Sequence, residues 1–145
     1  MGREYNEPRM TIDALHVIHQ FPPESQGGSE LYALDVARRQ LELGRKVEVW
    51  SGTKHWRERL TIDSGELEGL PVHRVHRDDS YFDFHVKMWH PGVEAAFARF
   101  LVERRPAVVH LHHWVRLSCN LVEVCWRHGI PAVVTLHDYW TRCPR

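Results

Sequence analysis

The sequence predicts an α/β fold built on a doubly wound, mostly parallel sheet, and three observations lead to this expectation. Short apolar runs, of which residues 14–18 are the first, recur along the chain and suit strands buried on both faces. Amphipathic segments with helical spacing alternate with these runs, and loops rich in glycine or proline separate them. Such alternation favours parallel strands joined by right-handed helical crossovers.

The first predicted unit is a strand, a loop, a helix and a second strand. Residues 14–18 form the strand, and the prolines and glycines of residues 21–28 require a loop. Ser29 is predicted to cap a helix that stops at Gly44. Residues 46–50 alternate as a second strand, which completes a βαβ unit. The apolar stripe of the helix is expected to comprise Leu31, Leu34, Val36, Ala37 and Leu41.

The middle of the chain is less regular. Residues 65–76 predict a small hairpin around Gly69, and residues 77–89 a long loop. Pro91 suits the first position of a helix, which Pro106 ends. The loop carries four aromatic residues that could line a groove or pack inward, namely Tyr81, Phe82, Phe84 and Trp89.

The last part of the chain repeats the alternation of strand and helix. Residues 107–111 and 132–136 are predicted to be buried strands. Residues 117–128 are predicted to be the helix between them, with Gly129 as its stop.

Length and composition limit the classes of protein that fit. The 145 residues suit one domain, predicted over 13–145 after a disordered lead-in at 1–12. A formal net charge of zero gives no general attraction to nucleic acid or anionic membranes. Three cysteines without disulfide-like spacing, and no apolar segment typical of a signal peptide or membrane span, predict a cytoplasmic protein. Peripheral contact with the inner membrane face stays open.

Polar and aromatic residues collect where the predicted strands end. They lie in residues 20–28, 51–54, 112–114 and 137–140. Active sites of doubly wound sheets lie beyond the carboxyl ends of the strands. The site is therefore expected at this rim.

Two segments carry a family resemblance. Residues 16–51 read His-Val-Ile-His-Gln-Phe-Pro-Pro-Glu-Ser-Gln-Gly-Gly-Ser-Glu-Leu-Tyr through Leu-Gly-Arg-Lys-Val-Glu-Val-Trp-Ser, and residues 106–144 include Thr-Leu-His-Asp-Tyr-Trp and end in Cys-Pro. Both resemble the N-terminal, Rossmann-like domain of retaining GT-B glycosyltransferases of the family 4 type, a family that includes sucrose synthase. The chain departs from this pattern at Arg45 and Lys46, where a histidine often follows the glycine.

The resemblance implies that this chain is only part of an enzyme. GT-B enzymes of this type carry a second Rossmann-like domain that binds the nucleotide and stabilises the leaving diphosphate, and its motifs do not occur among these residues. We therefore expect a truncated, acceptor-side domain that is inactive alone, with no cofactor besides the nucleotide-diphosphate sugar that serves as the donor. The acceptor is expected to be a glycan, a lipid-linked sugar or a small molecule.

The glycine pair Gly27 and Gly28 is the first candidate site. A glycine pair entering a helix lets backbone N–H groups approach an anion, and the helix N-terminus adds partial positive charge. The resemblance implies that this loop faces the sugar diphosphate and the acceptor. The alternative is a flexible turn. Glu24 on the same loop is a candidate contact with the acceptor, as is His19.

Two residues after the last predicted strand are the next candidates. The resemblance implies that His137 lies against the donor sugar, where a neutral imidazole can donate or accept a hydrogen bond. It is the predicted catalytic residue, and Asp138 is a candidate for binding substrate. The alternative for His137 is that it only caps the strand end.

Three histidines lie at the end of the third buried strand. His110 and His112 are expected to share one face of the strand and His113 the other. His112 and His113 are assigned to the acceptor cleft. Three imidazoles could bind zinc, but a good site needs a further convergent ligand, so we predict no metal.

The sequence thus predicts retaining transfer of a sugar from a nucleotide-diphosphate sugar to an unidentified acceptor. Two alternatives remain open at this point. One is a non-catalytic, truncated homologue that acts as a binding module. The other is a GT-B sugar-nucleotide epimerase, which should present paired acid and base residues to the sugar carbons.

Overall fold

The computed structural model of the chain describes residues 11–79 and 88–139, which form one six-stranded sheet flanked by helices. In chain order the elements are β1 (Ile12–Ile18), α1 (Gly28–Glu42), β2 (Val47–Gly52), β3 (Thr61–Leu67), β4 (Leu70–His76), α2 (Pro91–Arg104), β5 (Pro106–Leu111), α3 (Leu121–Arg127) and β6 (Ala132–Val134).

The sheet has the strand order β3-β4-β2-β1-β5-β6 and is parallel except at one edge. Strand β1 lies at its centre and pairs in parallel with both β2 and β5. Strand β3 pairs antiparallel with β4 through the predicted hairpin, whose turn places Glu68 and Gly69 at φ values of 53° and 84°. The predicted fold class, an α/β protein with a doubly wound, mostly parallel sheet, is confirmed.

Helices cover both faces of the sheet and bury a separate core on each. On one face, Ala33 and Ala37 of α1 pack against a cluster that includes Ala14, Ile18 and Val49. On the other face, α2 and α3 cover a larger core. Its aromatic centre is Trp50, whose ring lies 5.4 Å from that of Phe97 and 4.8 Å from that of Phe100. A strand such as β1 is buried from both sides, which explains its nearly continuous apolar sequence.

The start of α1 differs from the prediction. Gly27, not Ser29, is the N-cap, and its backbone is extended. The Ser29 hydroxyl donates to the Glu30 carboxylate at 2.7 Å, so a carboxylate takes the hydroxyl that was expected to cap the helix. The predicted apolar stripe is also wrong at one position, because Leu31 is 43% exposed whereas Glu30 is 5% exposed.

The predicted start of α2 is confirmed. Pro91 is its first residue, and the imidazole of His90 caps it by accepting the Val93 N–H at 3.1 Å. The helix ends at Arg105, which adopts a left-handed conformation with φ of 45° directly before Pro106.

Several predicted boundaries shift by a few residues, and the prediction of a buried strand over 132–136 is wrong, because β6 spans only Ala132–Val134 and is exposed. Strand β1 begins at Ile12, inside the predicted lead-in, and α3 begins at Leu121, four residues later than predicted, because residues 115–120 form turns. Gly129 follows α3 with φ of 67°, as expected of a helix stop. Residues 1–10, the aromatic residues Tyr81, Phe82 and Phe84, and Cys143 lie outside the described residues.

Candidate active site

Three strand ends and the start of one helix lie on the same rim of the sheet. Strands β1, β5 and β6 run parallel, so the residues that follow them lie side by side. The His112 N–H donates to the Val17 carbonyl at 2.8 Å, which fixes the first residue after β5 beside the end of β1. Likewise the Thr135 N–H donates to the Leu111 carbonyl at 3.0 Å. The N-terminal end of helix α1 lies at this rim.

A continuous row of hydrogen-bonded side chains runs from α1 to the rim. The Gln40 Oε1 atom lies 2.7 Å from His16 Nε2, and His16 Nδ1 lies 2.9 Å from His112 Nε2. His112 Nδ1 lies 3.3 Å from His137 Nε2. We call these four side chains, Gln40, His16, His112 and His137, the imidazole row. It connects the interior of the sheet to a half-buried imidazole at its edge.

Burial keeps the inner imidazoles of the row uncharged at neutral pH. Burial, only partly offset by the hydrogen bond to Gln40, lowers the pKa of His16 to about 4. Burial, together with repulsion from three neighbouring imidazoles, lowers the pKa of His112 to about 2. Burial and the proximity of His137 also lower the pKa of His110. These side chains therefore act as neutral hydrogen-bonding groups rather than as cations.

Tyr32 brings α1 against the outer part of the row. Its ring lies edge-on to His112 at 5.8 Å and to His137 at 5.1 Å, measured between centroids. Tyr32 is one helical turn beyond Gly28, the first residue of α1. Gly28 and His137 are therefore at the same end of the molecule.

A second cluster lies beside the row and contains Glu30. The His19 ring is 4.6 Å from that of His113, and its Nε2 atom is 3.6 Å from Glu30 Oε1. On the other side, His113 Nε2 lies 3.5 Å from Asp138 Oδ2. This arrangement connects the loop after β1, the start of α1, the loop after β5 and the loop after β6.

The surroundings of Glu30 favour its charged form, whereas the surroundings of His19 favour its neutral form. Burial alone would raise the pKa of the Glu30 carboxyl, but hydrogen bonds from Ser25 at 2.6 Å and Ser29 at 2.7 Å hold it below its usual value. Burial and the neighbouring His113 lower the pKa of His19 to about 4. The cluster thus combines a stabilised carboxylate with a neutral imidazole at the entrance to α1.

Two glycines at this rim lie close to neighbouring groups, Gly52 to a backbone carbonyl and Gly27 to a side chain. A Cβ atom at Gly52 would lie 2.4 Å from the His19 carbonyl oxygen, so β2 can end beside His19 only with glycine there. A Cβ atom at Gly27 would lie 2.7 Å from Glu30 Oε2. By contrast, a Cβ atom at Gly28 would meet nothing within 4 Å. The fold itself gives no steric reason for glycine at position 28.

The structure groups the predicted site residues into distinct sets. His112 contacts His137, and His113 contacts Asp138, so the two neighbouring histidines have different partners just beyond the end of β5. Gly27 lies beside Glu30. Glu24 contacts another part of the rim, because its carboxylate accepts a hydrogen bond from Thr53, just after β2, at 2.7 Å.

Four residues of this rim were not predicted from the sequence, namely His16, Tyr32, Gln40 and Glu30. His16 had a detectable signal, since it is a polar residue inside an otherwise apolar, buried strand, and such groups are usually hydrogen-bonded. The contacts of Gln40 and Tyr32 depend on the angular setting of α1 on the sheet, which periodicity alone does not fix.

One group of imidazoles could in principle hold a metal ion. His16, His110 and His112 each offer a ring nitrogen, and these atoms lie within 4.8 Å of one another. Hydrogen bonds involve all three side chains, because His16 bonds to His112 at 2.9 Å and His110 Nε2 bonds to Thr135 at 2.7 Å. Hydrogen bonding alone thus accounts for the arrangement.

Comparison with known proteins identifies the family of the chain and a solved structure with a similar fold. A family model described as Glycosyltransferase Family 4 matches residues 26–145. A sucrose-phosphate synthase from Thermosynechococcus elongatus has a similar fold, with a TM-score of 0.61 at 15% sequence identity. The alignment covers 89% of this chain and 34% of the synthase, so the chain spans about a third of that protein. No curated protein sequence matches the chain.

Across residues 11–79 and 88–139, no helix combines the length and the apolar character needed to cross a bilayer. The family match covers the glycine pair, α1, and every strand after β1, and the sheet has the layers and the strand sense that the resemblance implies. The chain therefore belongs to Glycosyltransferase Family 4 and has the Rossmann-like fold of an N-terminal GT-B domain.

Proposed function

We propose that this chain forms the acceptor-side part of a retaining glycosyltransferase that uses a nucleotide-diphosphate sugar. The observation that carries the proposal is the position of the glycine pair and His137 on one rim, connected through Tyr32. In a doubly wound sheet this rim is where ligands bind. Family membership supports the transfer of a sugar; the retention of configuration and the donor class follow from the resemblance alone.

The N-terminus of α1 suits a diphosphate. Gly28 has open space around its Cα atom, and the first turn of a helix presents backbone N–H groups and partial positive charge. A glycine with no steric role in the fold is explained if an anionic ligand comes close to the backbone at this point.

His137 suits contact with a sugar hydroxyl. Its Nε2 atom is hydrogen-bonded to His112, and its ring is half-buried at the rim. A side chain held from behind in this way can present its other edge to a ligand with little loss of conformational entropy on binding. We assign the acceptor to the part of the rim where His113 contacts Asp138, and we assign Glu24, which contacts Thr53, to the far side of that region.

The proposed reaction needs no nucleophile from the protein. The acceptor oxygen forms a bond to the anomeric carbon on the face that the diphosphate leaves, the bond from that carbon to the diphosphate oxygen breaks, and a diphosphate oxygen takes the proton of the acceptor hydroxyl. The protein aligns the two substrates and stabilises the charge of the leaving group. We assign most of that charge stabilisation to a second domain, with which this chain would form the cleft.

We place this reaction in the cytoplasm, with peripheral membrane contact if the acceptor is lipid-linked. Cys119 and Cys125 are both free thiols, which suits a reducing compartment.

Calorimetric titration of the 145-residue chain with uridine, guanosine and adenosine diphosphates tests whether the nucleotide site lies outside this chain. We expect no tight binding, because the nucleotide site is assigned to the second domain. Binding with a Kd below about 1 µM would correspond to about −8 kcal/mol. Affinity of that order would place the donor site in this half and contradict the proposal.

Replacement of His137 in a transferase that contains this domain tests the site itself. His137→Ala is expected to lower kcat at least ~10-fold while changing nucleotide affinity little, since the side chain is assigned to the sugar and not to the nucleotide. His128→Ala is the matched control, because His128 is exposed beyond the end of α3. Equal kcat values for the two variants would remove His137 from the site.

A further inference from the structure

We propose that Gln40 acts as a positioning residue that sets the tautomer of His137 through the imidazole row, so that His137 presents a bare Nδ1 lone pair at the rim. The contact of that lone pair with a substrate hydroxyl rests on the proposed function. The tautomer itself is a property of this chain alone.

The direction of the hydrogen bonds is set at the Gln40 end of the row. The atom of Gln40 that faces His16 Nε2, at 2.7 Å, is the carbonyl oxygen Oε1. A carbonyl oxygen only accepts hydrogen bonds, so His16 Nε2 must carry the hydrogen. A neutral imidazole has only one N–H group, which leaves His16 Nδ1 as an acceptor.

Each hydrogen bond needs one donor and one acceptor, so the assignment at His16 also fixes the donor at the next two contacts of the row. Since His16 Nδ1 accepts, His112 Nε2 must be the donor across the 2.9 Å contact. His112 Nδ1 is then an acceptor, and His137 Nε2 donates to it across 3.3 Å. All three imidazoles are therefore Nε2–H tautomers, and a single reversal at Gln40 would turn all three into Nδ1–H tautomers.

This assignment of tautomers requires that His16 and His112 are neutral, with one N–H group each. Their burial keeps them neutral. His16 is fully buried beneath α1, and His112 is 2% exposed. A proton added to either ring would leave two N–H groups facing each other or a charge without a carboxylate partner among the contacts of the row. The lowered pKa values of His16 and His112 agree with this neutrality.

His110 and Tyr32, which also face the row, do not force the opposite tautomers on its imidazoles. The ring of His110 lies 4.0 Å from that of His112, but its Nε2 atom bonds to the Thr135 hydroxyl, which can donate or accept. Tyr32 makes T-shaped ring contacts with His112 and His137, with interplanar angles of 66° and 69°. Gln40 is thus the member of the row whose amide orientation selects the direction.

The consequence concerns which substrate groups His137 can recognise. A bare Nδ1 atom accepts a hydrogen bond and so matches a hydroxyl that donates one, whereas an Nδ1–H group would match an acceptor oxygen. A sugar or acceptor hydroxyl can bond to either form, but its own proton points in opposite directions in the two cases. The row therefore selects the orientation of that hydroxyl before the substrate arrives.

Nitrogen-15 NMR of the imidazoles in the 145-residue chain tests the tautomers directly. Two-bond correlation spectra at pH 7.5, with a metal chelator present, should show His16, His112 and His137 as Nε2–H tautomers. Assignment follows from correlations of each imidazole with its own backbone amide, because replacing one histidine of the row would also change the tautomers of the others. A His137 signal in the Nδ1–H form would overturn the proposal.

Gln40→Met tests the origin of the direction. Methionine keeps the length of the side chain but removes the accepting oxygen, so the His137 signal should move toward a mixture of the two tautomers. Arg39→Met is the matched control, since Arg39 is the exposed neighbour on α1 and contacts Glu42 instead. Spectral dispersion of the backbone amides shows that each variant is folded. An unchanged His137 tautomer in folded Gln40→Met would remove Gln40 from its role.

Kinetics of a transferase that contains this domain separate this proposal from the proposed function. Gln40→Met should lower kcat about 2-fold, in proportion to the lost Nε2–H form of His137, with KM nearly unchanged, because orientation and not binding is lost. If His137→Ala loses turnover while Gln40→Met changes neither tautomer nor kcat, the relay fails and the function stands. If the tautomers are as proposed but His137→Ala keeps full turnover, the relay stands and the assignment of His137 to the site fails.

Discussion

At the scale of single residues, backbone approach and hydrogen-bond matching determine the geometry of the rim. Gly52 allows the end of β2 to lie against the His19 carbonyl. His16, inside the buried strand β1, hydrogen-bonds both to Gln40 of α1 and to His112 at the rim. Neither role depends on the size of a hydrophobic side chain. Each is therefore open to a test by a small substitution.

Gly52→Ala should strongly destabilise the chain. The added Cβ atom would lie 2.4 Å from a backbone oxygen that cannot move without shifting the loop after β1. We expect the free energy of unfolding to fall by about 2–4 kcal/mol, measured by urea denaturation. Gly65→Ala in β3 is the control, because an added Cβ atom there meets nothing within 4 Å. Equal stability of the two variants would mean that the close contact of β2 with His19 is not needed for folding.

The residue scale also shows what sequence patterns can and cannot predict. Strand alternation correctly predicted that His110 and His112 share a face, because the period of a strand is local. The pairing of His16 with His110 follows from the register of β1 against β5, a long-range property that the local pattern does not contain. For the same reason Gln40 read as an ordinary polar position of a surface helix.

At the scale of elements, α1 supplies most of what distinguishes this rim. One helix contributes the glycine entry at Gly28, the buried carboxylate of Glu30, the Tyr32 ring and the Gln40 amide. The sequence predicted the existence and the approximate ends of this helix. It misjudged the buried face, because hydrogen bonds from Ser25 and Ser29 make burial of Glu30 favourable where the pattern favoured Leu31.

Gly28→Ala separates the role of α1 in folding from its proposed role in binding. Alanine fits the open space and favours the helix, so the free energy of unfolding should be unchanged or rise by up to about 1 kcal/mol. Thermal denaturation of the 145-residue chain measures this. In a transferase that contains the domain, the same change should raise KM for the sugar donor. A large loss of stability would show that glycine at this position is required by the fold and not by a ligand.

At the scale of the whole molecule, the concentration of neutral imidazoles at one rim makes folding sensitive to acid. The pKa values of His16, His19 and His112 in the folded chain, at about 4, about 4 and about 2, all lie below the ordinary value of 6.5. Below pH 6.5 the unfolded chain therefore binds more protons than the folded chain does. The stability conferred by neutral, buried imidazoles is present above pH 6.5 and declines as the pH falls toward the folded-state values.

Urea denaturation between pH 7 and pH 5 should show this decline. Each such histidine lowers the free energy of unfolding by about 1 kcal/mol per pH unit once the pH is well below 6.5. His16→Gln should reduce the slope, since glutamine can hydrogen-bond but does not titrate. The exposed His128→Gln serves as the control. If the slope is the same in wild type and His16→Gln, then His16 does not enter this linkage.

The short strand β6 gives the rim an asymmetric support. Its three residues are all exposed, it pairs with β5 along one side, and His137 lies three residues beyond its end at Val134. The inner imidazoles are fixed by the sheet and by α1, whereas the outermost one is carried by a strand anchored to a single neighbour. Any partner surface that packs on the exposed side of β6 would therefore also adjust how firmly His137 is held, so assembly and substrate positioning would be mechanically linked through three residue pairs.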